Sequence, residues 1–282
     1  MAEPARKRPA RDEWILDDDD FLDLQDADEP GISVLQRWIE GPDGEMVLWE
    51  TPLTPELFLD PQLEDKIIQG NPHFLAVSYF HELLFRRFHD QPDVLVLSDL
   101  KHLLGPGLPS PAPDISILRD PHHPDPDKLM VYDLVRYKTP PFFVLEVVSP
   151  SNPRVRRIDE VTKVRVYERI GVEEYLLVDL PRRATGHRFR LRGYRLDQAG
   201  HYQAIEPDAQ GRLLARSLDL WFTVSDDGKR VLLVDATTGE VLLTPLEIEA
   251  RRISAVQTIE AKDAELARLR AELERLRGRE GG

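Results

Sequence analysis

The sequence predicts an α/β domain built on a mixed β-sheet, followed by a separate C-terminal helix. Two runs typical of buried strands, at 142–148 and 173–179, are separated by a helical pattern at 157–170. This is the arrangement of a crossover between neighbouring parallel strands. An amphipathic helical pattern at 74–88 precedes two further strand candidates. Near the C-terminus, leucines recur at spacings of three and four among charged residues, which is typical of a coiled coil.

The composition excludes several classes of protein and site. The chain of 282 residues contains no cysteine, which excludes disulfides, thiolate zinc sites and cysteine nucleophiles. A metal ion would therefore be held by carboxylate, carbonyl or histidine ligands, and this chemistry favours Mg²⁺ or Mn²⁺ over structural zinc. No apolar run approaches the roughly 18 residues of a membrane span, and no apolar segment follows the basic residues of the N-terminus. We therefore expect a cytoplasmic protein with no membrane partner.

The charges are distributed unevenly along the chain. The net charge of -14 argues against a surface adapted throughout to nucleic acid. Residues 1–70 carry 19 acidic and 6 basic side chains, whereas residues 136–195 carry 14 basic and 7 acidic ones. Taken alone, the basic segment is as compatible with a solvated surface as with a phosphate-binding face.

Three segments are predicted from these patterns. Residues 1–30 are expected to be a disordered acidic tail, because they are highly charged and include four consecutive aspartates at 17–20. Residues 31–245 are predicted to form the α/β domain. Residues 246–282 are predicted to form the C-terminal helix with its coiled coil.

The first elements of the α/β domain follow from local patterns. Short strands are expected within 31–60, around a Gly-Pro-Asp-Gly turn. Apolar residues at helical spacing predict the first core helix at 74–88. Strands are predicted at 93–100 and 112–120, and the second is entered through Pro113.

The strand at 142–148 contains an acidic residue in an otherwise apolar run. Its β-branched and aromatic residues predict a strand covered on both faces. Burial of the Glu146 carboxylate is costly unless a cation, a metal ion or a set of hydrogen bonds compensates it. The helix at 157–170 and the strand at 173–179 complete the crossover, and short strands with turns are expected from 188 to 224.

The C-terminal segment has the pattern of a short coiled coil. An upstream apolar stripe is out of phase with the leucine repeat. Two or three heptads are marginally stable alone, so we expect a partner helix, most simply from a second copy of the chain. The leucines of the repeat are Leu266, Leu269, Leu273 and Leu276.

Three residues of the α/β domain form a candidate metal-dependent site. Asp114 begins one predicted strand, Glu146 lies inside the next, and Lys163 lies on the following helix. Adjacent strands are about 4.8 Å apart, so two carboxylates that face the same way can share a divalent cation. Such a cation polarises a phosphoryl oxygen and lowers the pKa of a bound water. The lysine can reach back over the preceding strand, where it would orient the attacking water or neutralise charge on the phosphate.

These residues belong to an ordered series of motifs. The motifs are "PDISIL" at 113–118, "PPFFVLEVVSPSNP" at 140–153 and "DEVTKVRVYERIGVEEYLLVD" at 159–179. The series resembles the Uma-type putative restriction endonuclease family, within the PD-(D/E)XK nuclease superfamily. The resemblance is strongest over residues 111–180 and extends more weakly over residues 60–225.

The resemblance implies a restriction-endonuclease-like three-layer core with a central mixed sheet, and a Mg²⁺- or Mn²⁺-dependent endonuclease that acts on DNA. Asp114 matches the Asp of the PD motif, and Glu146 matches the acidic residue of the E-x-K motif. Asp114, Glu146 and Val147 are the implied metal-binding positions. Val148 stands where the superfamily has its lysine, and Lys163 matches a lysine displaced onto the next helix. Asp114, Glu146 and Lys163 are therefore the implied catalytic residues.

Each of these residues also has a simpler explanation. Asp114 can cap a turn or the entry to a strand. Glu146 can form a buried ion pair with Arg154 or Lys163 without any catalysis. Lys163 can be a helix-surface residue paired with Asp159, four residues earlier. The protein would then be a catalytically inactive, nuclease-like binding or regulatory protein oligomerised by its coiled coil. RNA is the alternative substrate for an active enzyme.

Other polar and aromatic residues receive weaker assignments. Tyr167 and Tyr175 are interpreted as core aromatic residues. The two histidines at 122–123 lie among prolines and aspartates and are interpreted as part of a solvated loop. His73 and Glu82, on the first core helix, are candidates for the auxiliary polar group that the resemblance implies.

Overall fold

The structure of the chain is a computed structural model. The predicted tail at 1–30 and the histidines at 122–123 lie outside the residues that it describes. The chain divides into two compact units, residues 1–242 and residues 243–282. Within the described part, no helix is both long enough and apolar enough to cross a membrane. The described residues are 34–40, 43–52, 59, 66–67, 71–120, 125–149, 156–182 and 186–280.

The described part of the first unit contains three α-helices and fourteen strands, the last six of which follow one another without an intervening helix. Its helices are α1 (Asn71–Phe88), α2 (Leu134–Tyr137) and α3 (Lys163–Ile170). Its strands are β1 (Val34–Glu40), β2 (Met46–Pro52), β3 (Lys66–Ile67), β4 (Val94–Ser98), β5 (His102–Leu103), β6 (Ile115–Arg119), β7 (Tyr132–Asp133), β8 (Phe143–Val148), β9 (Glu174–Asp179), β10 (Arg190–Leu196), β11 (Tyr202–Ala204), β12 (Leu213–Ala215), β13 (Leu220–Val224) and β14 (Val231–Asp235).

A six-stranded mixed sheet forms the centre of this unit, with the strand order β11-β10-β9-β8-β6-β4. Its neighbouring strands are antiparallel except for β8 and β9, which are parallel and are connected through α3. The prediction of an α/β domain with a mixed sheet and a helical crossover is therefore confirmed. The antiparallel pairing of β1 with β2 also confirms the strands expected within 31–60.

Strand β8 lies inside the sheet, and all six of its residues are buried. Its side chains alternate between the two faces, as the strand geometry requires. Leu145 and Val147 belong to the apolar cluster that contains α1. Val144 and Val148 belong to the cluster that contains α3. The sheet thus carries a helix on each face, and Glu146 falls on the face of α3.

Helix α1 begins three residues earlier than its apolar pattern predicts. It starts at Asn71, and Pro72 lies in the first turn, where its missing N–H group costs no helical hydrogen bond. The added turn includes His73, whose side chain is buried. This first turn therefore places the side chain of His73 close to the central sheet, where it contacts Asp114.

A buried glutamate connects the central sheet to the small sheet formed by β12, β13 and β14. The carboxylate of Glu174, on β9, accepts hydrogen bonds from Arg195 Nε at 2.7 Å, from Arg216 N at 3.0 Å and from Ser217 N at 2.8 Å. Arg216 and Ser217 form the turn between β12 and β13. One carboxylate therefore fixes this turn against the end of β9.

The second unit is the helix α4 (Pro245–Glu280). Thr244 and Glu247 cap its N-terminus reciprocally: the side chain of Glu247 accepts from Thr244 N at 2.9 Å, and Thr244 Oγ1 accepts from Glu247 N at 3.3 Å. Pro245 occupies the first helical position, which suits its fixed φ angle. The predicted C-terminal helix is present, and its coiled-coil partner stays a proposal.

Candidate active site

The register of β6 and β8 brings together the two carboxylates that the sequence singles out. Ile115 pairs with Leu145, so Asp114 and Glu146 occupy the next opposed positions of the antiparallel pair. The main-chain N–H of Asp114 donates to Oε2 of Glu146 at 3.4 Å. Both residues are buried, with 6% and 2% of their surface exposed. Their expected proximity on adjacent strands is confirmed.

The carboxylate of Asp114 is held by a strand and a helix. Its Oδ2 atom accepts a hydrogen bond from Val147 N at 2.7 Å and lies 3.2 Å from Nε2 of His73, at the start of α1. Burial opposes protonation of His73, but the hydrogen bond to Asp114 and its negative charge raise the histidine pKa above its usual value. Asp114 therefore does more than cap the entry to a strand, and His73 is its polar partner from α1.

The carboxylate of Glu146 receives two donors from α3. Lys163 Nζ lies 2.8 Å from its Oε1 atom, and the Tyr167 hydroxyl donates to the same atom at 3.0 Å. Burial raises the pKa of Glu146 above its usual value, the ammonium group of Lys163 opposes this shift and favours the charged carboxylate, and the charges of Asp114 and Asp159 add to the shift. Burial likewise raises the pKa of Tyr167, which keeps its hydroxyl protonated as a donor.

A π-helical turn at Ile158–Thr162 places Lys163 in the site. The N–H of Lys163 bonds to the carbonyl of Ile158, five residues earlier. Lys163 is 2% exposed and also lies 2.8 Å from Oδ1 of Asp159, which is itself buried. The pairing with Asp159 was one of the simpler explanations of this lysine, but the surface location that it assumed is wrong. Burial opposes the charge of Lys163, yet the carboxylates of Asp159 and Glu146 raise its pKa.

The cluster contains more acidic than basic groups. Three buried carboxylates, from Asp114, Glu146 and Asp159, meet one lysine and one histidine. The cluster therefore has an excess of negative charge, and the carboxylates of Asp114 and Glu146 offer oxygen ligands. Both properties fit a divalent cation such as Mg²⁺. No group of three or more acidic or histidine side chains in the described residues is arranged to hold a metal ion. Mg²⁺ is commonly bound by one or two carboxylates and completed by water, so this finding is compatible with a cation on the pair Asp114 and Glu146.

Several contributors to the cluster were not assigned to it from the sequence. Asp159, Lys163 and Tyr167 follow one another at intervals of four, which places them along one side of the helical segment. That spacing was a signal for Asp159 and for the hydroxyl of Tyr167. Asp99 is a further neighbour: it adopts a φ of 52°, and its N–H bonds to the carbonyl of Asp114 at 3.3 Å. Burial and the charge of Asp114 raise the pKa of Asp99.

Other expected residues lie elsewhere or outside the site. Glu82 is exposed on α1 and makes none of the contacts described above. Val148, at the position of the superfamily lysine, is buried in the apolar cluster beside α3. Tyr175 is buried, and its hydroxyl donates to the main-chain carbonyl of Asp159 at 2.9 Å, so it supports the π-helical turn. Arg154, the other suggested partner of Glu146, lies outside the described residues.

The fold and the cluster define an α/β protein with paired carboxylates and a lysine on one face of a mixed sheet. Residues 50–226 match the model of the Uma2 family, described as putative restriction endonuclease. The chain belongs to this family, which confirms the resemblance carried by the motifs between Asp114 and Asp179.

Comparisons with individual proteins add little detail. No curated protein matches the chain. A crystal structure of a putative nuclease from Anabaena variabilis is similar at 17% sequence identity and a TM-score of 0.38. The match covers 65% of this chain and 82% of that one.

Proposed function

We propose that this protein is a metal-dependent endonuclease that hydrolyses phosphodiester bonds in DNA. The observation that carries the proposal is the opposed position of Asp114, directly before β6, and Glu146, on β8, with Lys163 Nζ 2.8 Å from Glu146. Membership of a family described as putative restriction endonuclease supports the same class of reaction. The substrate class, the metal and the role of the lysine are parts of this proposal.

In this proposal, Asp114 and Glu146 hold a Mg²⁺ or Mn²⁺ ion together with the main-chain carbonyl of Val147. When bound, the cation supplies Lewis acidity toward a phosphoryl oxygen and a more acidic water. The hydrogen bond from Val147 N orients the carboxylate of Asp114, and His73 Nε2 contacts the same oxygen, Oδ2. These contacts keep the carboxylate in one orientation before any ligand arrives, which reduces the reorganisation that binding requires.

Lys163 serves the reaction as a fixed positive charge. Its pKa is raised by neighbouring carboxylates, so it stays protonated at neutral pH. The ammonium group holds Glu146 through an ion pair, and we propose that it also neutralises charge on the phosphate or orients the attacking water. A cation in this place favours the transition state because negative charge increases there during hydrolysis.

Basic residues supply the attraction for a polyanion. The segment 136–195 carries 14 basic and 7 acidic side chains, although the whole chain has a net charge of -14. Clustered arginines and lysines contact phosphates regardless of base sequence. This local excess supports DNA as the substrate, with RNA as the alternative that the assay below distinguishes.

A second candidate function has its own observation. Glu146 is already engaged by Lys163 and Tyr167, which satisfies the buried carboxylate without a metal ion. The protein would then be a nuclease-like scaffold for binding or regulation. Its stability would be independent of divalent cations, and it would cleave no nucleic acid.

The two functions are distinguished by titrating Mg²⁺ and Mn²⁺ into full-length protein with plasmid, linear duplex DNA, single-stranded DNA and RNA. The nuclease proposal expects cleavage of DNA that rises with metal concentration and stops on chelation. Cleavage of RNA alone would change the substrate class. Absence of cleavage across the whole panel would favour the scaffold.

We also propose that the chain self-associates through α4, as the leucine repeat predicts. Deletion of residues 250–282 should lower the mass measured by light scattering and leave the first unit folded. An unchanged mass would assign any self-association to the first unit.

A further inference from the structure

Helix α4 carries an apolar seam that is flanked mainly by glutamates on one side and mainly by arginines on the other. We propose that residues 259–280 form a parallel, in-register, two-stranded coiled coil with a second copy of this chain. The inference rests on the proposed self-association and is independent of the nuclease chemistry. It adds the orientation, register and stoichiometry of the assembly.

The seam follows from heptad positions on a helix that is continuous from 245 to 280. Ile259 and Leu266 take position a, and Leu269 takes position d. These side chains are 59%, 50% and 46% exposed in the single chain, so half of their apolar surface has nothing over it. In the sequence, Leu273 and Leu276 occupy the next a and d positions. A second helix with the same repeat would cover this seam with knobs-into-holes packing.

The flanking charges select the orientation. Glu265 and Glu272 occupy position g, and Arg270 and Arg277 occupy position e. In a parallel, in-register pair, each g residue faces the e residue five positions later on the other helix. Glu265 then faces the partner's Arg270, and the sequence repeats the same combination of g and e residues one heptad later. In an antiparallel pair g faces g and e faces e, so Glu265 would face a glutamate and Arg270 an arginine where the leucine repeats overlap. Asp263, at the first e position, and Arg279, at the last g position, lie at the ends of the seam and are the exceptions.

The seam has a definite beginning. Lys262, at the d position between Ile259 and Leu266, weakens the first heptad. Upstream, Ile253 and Val256 fall at positions b and e, outside the seam. The coiled coil is therefore limited to about three heptads, for which moderate affinity is expected. Moderate affinity makes the dimer sensitive to single charges on its flanks.

The first experiment uses the absence of cysteine from the chain. Ile259→Cys and Leu269→Cys, introduced singly in the full-length protein, place one thiol at an a and a d position. Both variants should form disulfide-linked dimers on mild oxidation, because identical residues meet at every seam position of a parallel, in-register pair. Ala271→Cys, at the outward f position of the same exposed helix, is the matched control and should cross-link far less.

An antiparallel pair gives a different pattern. Identical residues then meet at a single level only, so positions 259 and 269 cannot both cross-link. Cross-linking of one position, of neither, or of the control as efficiently as the seam positions would overturn the proposal. A trimer in sedimentation equilibrium would contradict the two-stranded assembly.

The second experiment reverses one charge in the full-length protein. Glu265→Arg faces the partner's Arg270 in the parallel pair, twice per dimer, and should weaken dimerisation roughly tenfold in sedimentation equilibrium. Adding Arg270→Glu to the same chain should restore the affinity. In the antiparallel pair Glu265→Arg would remove a repulsion and strengthen association, so an increase in affinity would refute the orientation. A wild-type chain that stays monomeric at all concentrations would refute self-association itself, whatever the outcome of the nuclease assays.

Discussion

The Nζ atom of Lys163 lies 2.8 Å from Oε1 of Glu146. Both side chains are buried, on the face of the central sheet that α3 covers. A buried ion pair of this kind stabilises the fold only while both partners are present. Loss of either partner leaves the other as a buried charge with neither water nor an opposite charge to compensate it. The second carboxylate on the lysine, Asp159, increases this dependence. The same ammonium group is thus required for stability and is the one proposed to act on the phosphate.

Replacement of Lys163 by methionine should therefore affect stability as well as activity. The change leaves Glu146 and Asp159 buried without their cation, and we expect the free energy of unfolding in urea to fall by about 3 to 5 kcal/mol. Cleavage, measured at a temperature where the variant is still folded, should fall about 10²- to 10³-fold. Lys128→Met, at an exposed lysine, is the control and should change neither property. A Lys163→Met variant that cleaves at the wild-type rate would show that the displaced lysine has no catalytic role.

Divalent cations should stabilise the protein through the two carboxylates. A ligand that binds only the native state raises the melting temperature, so Mg²⁺ or Mn²⁺ should do so in the wild type. Glu146→Gln should abolish most of that increase, because it removes a charged ligand and keeps the size of the side chain. Glu82→Gln, at an exposed residue of α1, should retain it. Equal increments in the wild type and Glu146→Gln would place the metal elsewhere.

Glu174 should be essential for the attachment of the small C-terminal sheet. Its carboxylate accepts from Arg195 and from the main chain of Arg216 and Ser217, so Glu174→Ala leaves several buried donors without an acceptor. We expect a loss of about 3 kcal/mol in the free energy of unfolding. Glu173→Ala, at the exposed neighbouring position, should have little effect. Similar losses in both variants would remove the structural role assigned to Glu174.

His102 should make the protein less stable in mild acid. Its ring lies between the carbonyl of Leu100 and the hydroxyl of Ser116, at 2.7 and 3.1 Å, and burial lowers its pKa from 6.5 to about 4. Between these two values the unfolded chain binds a proton that the folded chain does not, so stability falls as the pH falls. From pH 7 to pH 5 the contribution of this histidine should decrease by about 2 kcal/mol.

The test compares urea denaturation of the wild type and His102→Asn at the two pH values. The asparagine amide can still donate to Leu100 but does not titrate, so the variant should lose about 2 kcal/mol less than the wild type between pH 7 and pH 5. Equal losses in the two proteins would mean that His102 is protonated in the folded state or does not control the acid sensitivity.

Local patterns were sufficient for the central elements of the fold. The apolar run around Glu146 predicted β8 because an internal strand must be apolar on both faces, and the helix with β9 after it predicted the crossover. The pairing of β5 with β7 involves two residues on each strand, which is too short for a periodic signal. The apolar pattern placed the start of α1 at residue 74 instead of Asn71, because Pro72 and His73 do not extend its apolar stripe.

The site was predictable only in part, because strand pairing follows from local patterns whereas the packing of helices on the sheet does not. Asp114 and Glu146 were expected to meet because adjacent strands bring their residues together. The contacts of His73 with Asp114 and of Lys163 with two carboxylates depend on how helices pack on the sheet. The π-helical turn before Lys163 depends on the same packing, and no local sequence rule specifies it. Asp159, Lys163 and Tyr167 are spaced by four residues, which is compatible with one side of a helix, but the sequence does not show that this side is buried against Glu146.

Plasmid cleavage by the wild type and Asp114→Asn, side by side, tests the proposed nuclease most directly. Asparagine keeps an oxygen that can accept the hydrogen bond from Val147, so the fold should survive while the charge is lost. We expect Mg²⁺- or Mn²⁺-dependent nicking by the wild type and by the control Asp90→Asn, whose side chain is fully exposed on the surface. Asp114→Asn should cleave at least about 100-fold more slowly. Cleavage by Asp114→Asn at the wild-type rate, or no cleavage by the wild type with either metal, would contradict the assignment of this site.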